Sequence, residues 1–182
     1  MDFSDPTQAS VNCSPDPVAA GTATTCTATV TDTASSPSTP TGTVSFSSTG
    51  SGSFSGSGSC SLSGSGASAS CQLSYAQAAG GELTVSVGYS GDGQHSPSSG
   101  STVLTVYQPL KGNGNCTGVS GGTGQNVTVP AGATCTLVAG TVVTGNVTDN
   151  GTLTLSGATI DGNLQSQDND PAAVVTGNTV GG

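Results

Sequence analysis

The chain has 182 residues and a formal net charge of −9, with one basic residue, ten acidic ones and 6% charged residues in all. An ordinary soluble protein carries about a quarter charged residues, so the bases, acids and cation clamps that active sites need are scarce. With one Lys and no Arg there is also almost nothing to displace counterions from phosphates, which argues against nucleic-acid binding.

A hydrophobic share of 32% without Trp leans towards disorder. Two features oppose that. Val, Thr and Ile alternate with polar residues at 24–31, 83–87 and 102–106, the period of a half-buried strand. Six cysteines offer covalent staples for a thin core. At the start of the chain, Met1-Asp2-Phe3-Ser4-Asp5 has neither a basic nor an apolar signal region. The expectation is a mature form or an excised fragment carrying an initiator Met. No run approaches the ~18 apolar residues of a membrane span, so no membrane insertion is expected.

From residue 4 to 107 the pattern predicts seven short strands, at 8–13, 22–31, 42–48, 59–62, 67–74, 82–90 and 101–107. Turn signals every 8–12 residues between such strands fit an immunoglobulin-like sandwich. Pro15 and Pro17 fall where the first strand would break and switch sheets. Residues 35–40 read as a loop and 47–58 as a Gly/Ser-rich, mobile one. His95, the only imidazole, sits in Gly91-Asp92-Gly93-Gln94-His95-Ser96 and reads as a solvated loop residue. A catalytic triad would require Asp, His and Ser to converge in space, and no catalytic residue is assigned.

The cysteines fall at 13 and 26, 60 and 71, and 116 and 135. Six cysteines permit fifteen connectivities, and spacing alone does not choose among them. Segmentation favours sequential pairing, because each pair brackets one predicted hairpin or rung: Cys13–Cys26, Cys60–Cys71 and Cys116–Cys135. No C-x-x-C occurs and His95 is far from any Cys in sequence, which disfavours a zinc site. Paired cysteines in a Ser/Thr-rich, Lys-poor chain imply an oxidising, extracellular space, against the alternative of six buried thiols in a cytosolic protein.

Residues V-N-C-S-P-D-P-V (11–18), T-C-T-A-T-V-T-D (25–32), P-T-G-T-V-S-F (40–46) and the stretch from Val87 to Val106 resemble the bacterial Ig-like repeat domains of large surface and secreted proteins. The placement of Cys13, Cys26, Cys60 and Cys71 looks like the disulfide-bearing actinobacterial branch of that family. The resemblance implies a stalk, spacer or adhesive module with no catalytic residues to carry over. The antibody pattern of two Cys bridging the sheets over a Trp is missing, so each bridge is expected to join neighbouring strands.

Residues 108–114 read as a linker: Pro109 removes a donor, and Gly112 and Gly114 loosen the chain around Lys111. Beyond it, from 115 to 182, a repeat of about 17–20 residues emerges. G-T-V-V-T-G-N-V (140–147) aligns without a gap on G-A-T-I-D-G-N-L (157–164), and Asn126, Asn146 and Asn163 recur at one place. Small corner residues and a fixed Asn suggest coils of a short, incomplete parallel β-helix, whose stacked Asn side chains would hydrogen-bond along its axis. An open array of antiparallel hairpins is the alternative. The last repeat stops at Gly181-Gly182. Val174, Val175 and Val180 are expected to offer an uncapped edge to a further rung of a longer parent or to a head-to-tail copy.

Asp161, Asp168 and Asp170, with Asn169, form the densest acidic patch. Hard oxygen ligands make this a weak Ca²⁺ candidate, although EF-hand spacing and the Gly-rich nonapeptide of calcium β-rolls are both missing. Solvated turn carboxylates are the plainer reading, and no metal or cofactor is expected. Lys111 lies outside any strand and far in sequence from Glu82, which disfavours a Lys–Asn isopeptide crosslink. Sequons at Asn115, Asn126, Asn146 and Asn150 follow from the abundance of Thr alone. Every aromatic residue lies at or before Tyr107, so a glycan-binding or polysaccharide-cleaving β-helix would lack aromatic platforms. The expected protein is therefore all-β and non-enzymatic: a structural or adhesive segment of an extracellular protein, with glycan binding or filament formation as alternatives. Its partners would be adjoining domains, copies of itself, or a surface glycan or protein receptor.

Overall fold

A computed structural model describes residues 4–166, together with the backbone of the strands Val174–Thr176 and Thr179–Val180. No helix occurs among the described residues, so none is long and apolar enough to cross a membrane. The chain divides into two compact units: residues up to Ala78 with Leu83–Leu104, and Ala79–Glu82 with the chain from Thr105 onward.

The first unit is a two-sheet β-sandwich. One sheet joins β1 (Thr7–Ser14), β3 (Thr24–Asp32), β8 (Ser68–Ala76) and β5 (Ser53–Phe54) in that order, with β7 (Ser63–Ser65) also on β8. The other runs β10 (Ser98–Pro109), β9 (Gly81–Tyr89), β4 (Thr43–Ser48) and β6 (Ser59–Ser61), with β2 (Val18–Ala19) on β10. The alternating pattern decides which side chains enter the core. On β3, Thr24, Cys26, Ala28, Val30 and Asp32 point inward and are buried, and on β9 Leu83, Val85, Val87 and Tyr89 do the same. The Pro15–Pro17 break separates β1 from β2, which lie in different sheets, as the sequence predicts.

The segment predicted as a mobile loop at 47–58 instead carries β5, which pairs with Ala76 and Tyr75 of β8. Phe54 stacks between Phe46 and Tyr75, with ring centroids 5.4 and 4.7 Å apart. Such a contact is invisible to local composition, because Ser and Gly surround the one residue that anchors the segment.

The second unit is a parallel β-solenoid of about three turns, and its register overturns the antiparallel alternative. One face stacks the last residues of β10 on β12 (Gly118–Gly121), β15 (Thr134–Leu137), β18 (Thr152–Ser156) and β21 (Val174–Thr176). A second stacks β11 (Gly114–Asn115), β14 (Val127–Val129), β17 (Val147–Asp149) and β20 (Leu164–Ser166). The third stacks β13 (Thr123–Gly124), β16 (Val142–Val143), β19 (Thr159–Ile160) and β22 (Thr179–Val180). Equivalent apolar positions superpose from rung to rung: Val127 on Val147 on Leu164, Leu137 on Leu155, and Val143 on Ile160. No single rung could bury its apolar side chains, so the core exists only through stacking.

The expected asparagine ladder is present and starts one rung earlier than the repeat suggests. Asn126 donates its N–H (3.1 Å) and its Nδ2 (2.8 Å) to Asn113 Oδ1. The N–H groups of Asn146 and Asn163 then donate to Asn126 Oδ1 and Asn146 Oδ1, each at 2.8 Å. A Cβ on Gly162 would lie 2.6 Å from Asn146 Oδ1, so the small corner residue is what lets the ladder close. The segment predicted as a linker is thereby part of the first rung. Leu110 N–H donates to Gly121 O, and Gly112 O accepts from Gln125 N–H. Glycine there serves a solenoid corner rather than a loose tether.

Disulfides join Cys13–Cys26, Cys60–Cys71 and Cys116–Cys135. The first links directly opposed residues of β1 and β3, as expected for neighbouring strands. The second departs from that expectation: β6 pairs with β4 and β8 with β3, so Cys60–Cys71 ties the two sheets together. The third is fully buried in the solenoid core. No bridge spans Lys111, the one tryptic site. Trypsin acting on the denatured, non-reduced chain should therefore yield fragments 1–111 and 112–182 that separate without reductant. A single band on a non-reducing denaturing gel, after cleavage shown by mass, would contradict this connectivity.

Candidate functional site

The densest chemistry lies in the sandwich, at the end of β3 and in the loop after β9. Inward alternation along β3 places Asp32 in the interior at the strand's last residue. Beyond β9, an Asx-type turn folds the loop back: Asp92 Oδ1 accepts from the N–H groups of Gln94 (2.9 Å) and His95 (2.8 Å). This aims the imidazole inward, and His95 is 2% exposed. The predicted solvated loop histidine is thus a buried one. Local polarity suggested exposure, but the Asp92 turn and the distant Asp32 create a polar pocket that the chain around His95 does not announce.

Both ring nitrogens are engaged. Nδ1 meets Asp92 Oδ1 at 2.8 Å, while Nε2 faces Ser38 Oγ at 3.1 Å and Asp32 Oδ2 at 3.4 Å. The carboxylates are themselves held. Thr41 donates its N–H (2.8 Å) and Oγ1 (2.6 Å) to Asp92 Oδ2, and the N–H groups of Ala34 (2.8 Å) and Ser38 (2.7 Å) donate to Asp32. Burial is the largest influence on His95 and pulls its pKa down, but the hydrogen bond and charge of Asp92, then Asp32, outweigh it and leave the ring above its ordinary value. The N–H donors of Ala34 and Ser38, aided by His95, hold Asp32 below the usual carboxylate range. Burial opposes ionisation of Asp92, yet Thr41, Gln94 and His95 together lower it. The neighbouring Tyr89 hydroxyl is buried without a hydrogen-bond partner. Burial, with the Asp92 charge, pushes it up to about 12.

Ser38, His95 and Asp92 therefore converge in the order of a nucleophile, base and orienting acid. The electrostatics favour another role. A general base must be neutral and open at Nε2, whereas here Asp32 stabilises a proton on that atom. The arrangement is that of an imidazole clamped between two carboxylates that favour its protonated form. Asp32, Ser38, Thr41 and Asp92 were given no role by the sequence; an Asp three residues before the His in a Gly-rich loop is the one local signal available, and Asp32 lies on a remote strand.

The other candidates remain apart. Asp161 is exposed at a solenoid corner, and Asp168, Asn169 and Asp170 lie outside the described residues, as do the side chains of Val174, Val175 and Val180. Among the described residues no three His, Cys, Asp or Glu side chains are grouped to hold a metal. A groove of about 220 Å³ lined by Ser53, Phe54, Ser55, Ser74, Tyr75 and Ala76 falls short of the ~300 Å³ at which ligand pockets begin.

Residues 11–107, more than half of the chain, match the family model described as bacterial Ig-like domain (group 3). The chain belongs to that family. No curated protein matches it. The sandwich is thus the bacterial Ig-like domain anticipated from its motifs, and Asp32, Ser38, Thr41, Asp92 and His95 all lie within the matched residues. Family membership suggests a structural or surface-protein module, and together with three disulfides it is consistent with an extracellular location.

The clasp sets a pH window for the Ig-like domain. The raised His95 contributes stability that is complete below its ordinary value of about 6.5 and is lost as pH rises through its higher folded value. The lowered Asp32 and Asp92 contribute stability that is present above about 3.8 and is lost as pH falls through their lower folded values. Urea midpoints should accordingly be higher at pH 5 than at pH 9, and His95→Gln should flatten the difference. Equal midpoints at both pH values in the wild-type chain would refute it.

Proposed function

We propose that the chain is a non-enzymatic structural segment of an extracellular or cell-surface protein, with the Ig-like domain as a stiff spacer and the solenoid as a second, β-stacked module. The observation that carries this reading is the use made of the chemistry-bearing groups. The only histidine, with the two acids beside it, is buried as a crosslink between loops instead of facing a cleft. Disulfides supply stiffness, and the single Lys leaves trypsin one site.

The partners proposed are adjoining domains of a longer parent or other copies of the chain, because a parallel solenoid accepts a further rung in the same main-chain register. A net charge of −9 opposes such self-association at low salt, so association between copies would strengthen as salt screens it. The test combines a glycan array, a polysaccharide-turnover panel and sedimentation across a salt series on the full chain. The structural reading expects neither saturable glycan binding nor turnover. Saturable binding would make it a lectin-like adhesive module, and turnover would overturn the non-enzymatic assignment. A strict monomer at every salt and concentration would leave adjoining domains as the only partners.

A further inference from the structure

The clasp does more than bury a charge, because it joins three separate stretches of the Ig-like domain. Asp32 ends β3, Ser38 and Thr41 belong to the segment between β3 and β4, and Asp92 and His95 belong to the loop after β9. The entering segment is fastened to the same loop. Asp5 N–H donates to Gln94 O at 2.7 Å, and Ser96 N–H donates to Asp5 O at 2.9 Å. Ser4 and Ser96 hydroxyls meet at 2.9 Å, and Thr7 Oγ1 donates to Ser96 O at 2.8 Å. No disulfide reaches these residues, so this end is held without a covalent tie, by the clasp, hydrogen bonds and packing such as that of the buried Pro40.

We propose that the Asp92–His95–Asp32 clasp is a pH-sensitive latch that fastens residues 4–7, 33–41 and 91–97 to the end of the sandwich, and that loss of one proton from the ring opens it while the core stays folded. The doubly protonated ring satisfies both carboxylates, through Nδ1 and Nε2. After one proton leaves to solvent, the ring has a single N–H for two anions. One carboxylate then faces an unprotonated nitrogen in a site where His95 is 1% and Asp32 0% exposed at the side chain, a costly arrangement for a buried charge. The relief is to move the loop that carries His95 and Asp92, whose side chain is already 14% exposed, so that water reaches whichever carboxylate has lost its N–H donor. The titratable groups facing the ring are Asp92 on its own loop and Asp32 from β3, with the Tyr89 hydroxyl behind Asp92. The Ser38 segment contributes only a hydroxyl, and Asp5 meets the loop through its main chain. The inference is independent of the spacer reading, since it concerns how the domain holds its own end.

One histidine in the chain makes the test direct, because its ring signals in an NMR titration need no assignment. The ring is expected to titrate above the ordinary histidine value. Across that transition, the amides of Asp5, Ser38 and Thr41 should exchange with solvent at least ten-fold faster than base catalysis explains, while Ala28 and Val30 of β3 keep their protection. In His95→Gln the excess should vanish. Asp32→Asn, which keeps Asp92, leaves one anion for the single N–H of the neutral ring, so it should lower the ring titration and abolish the excess exchange across it, and it decides the matter alone if His95→Gln does not fold. Titration at or below the ordinary value, excess exchange that persists in His95→Gln, or simultaneous loss of protection at Ala28 and Val30 would overturn the latch.

Discussion

Full reduction is expected to lower the melting temperature of each unit by roughly 10 °C or more. Each bridge closes a loop of 11 to 19 residues, worth about 3 kcal/mol in the chain-entropy account. One kcal/mol corresponds to roughly 4–8 °C in a domain of 60–100 residues. The loss is comparable to a large part of a small domain's net stability. The bridges should also open in a definite order. Cys60 and Cys71 are half-buried, whereas Cys13 is 4% exposed and Cys26, Cys116 and Cys135 are 0% exposed. A reductant acting on the folded chain should thus reach Cys60–Cys71 first and release the covalent tie between the sheets before the others. Calorimetry with and without reductant gives the temperature shift, and alkylation followed by peptide mapping gives the order. First labelling at Cys116 and Cys135 would show that the solenoid opens more readily than its buried core implies.

Leu137→Ala is expected to cost about 2–5 kcal/mol, the range for emptying a fully buried leucine site. Leu137 is 0% exposed and stacks between Ser120 of one rung and Leu155 of the next. It belongs to the buried apolar cluster of the solenoid core, so its truncation leaves a cavity among Val127, Val143, Leu153 and Leu155 of that cluster. Thr136→Ala, on the outward side of the same strand, should stay within about 0.5 kcal/mol. Urea unfolding of both variants checks the contrast. Equal effects would mean that Leu137 does not fill a packed interior.

The asparagine ladder shows how much a repeat can announce. Asn126, Asn146 and Asn163 recur in the sequence because each rung places the same atom at the same corner, and the structure joins them through one hydrogen bond per step. Asn113 was hidden, since Lys111, Gly112 and Gly114 give that rung the composition of a linker. Periodicity reports a position only when neighbouring copies share it.

What the sequence by itself determined is whatever depends on local alternation and spacing. That comprises the all-β character, the inward faces of β3 and β9, the switch of sheets at Pro15–Pro17, the family of the first module and the period of the second. What only the tertiary structure decided is whatever depends on residues far apart in the chain. The parallel rung register, the tie between sheets at Cys60–Cys71 and the anchoring of β5 by Phe54 are of this kind. So is the clasp, in which His95 meets Ser38 across 57 positions. A histidine's charge state follows from the groups that surround it in space, and two of the three partners of His95 come from distant strands and loops that no local pattern places beside it.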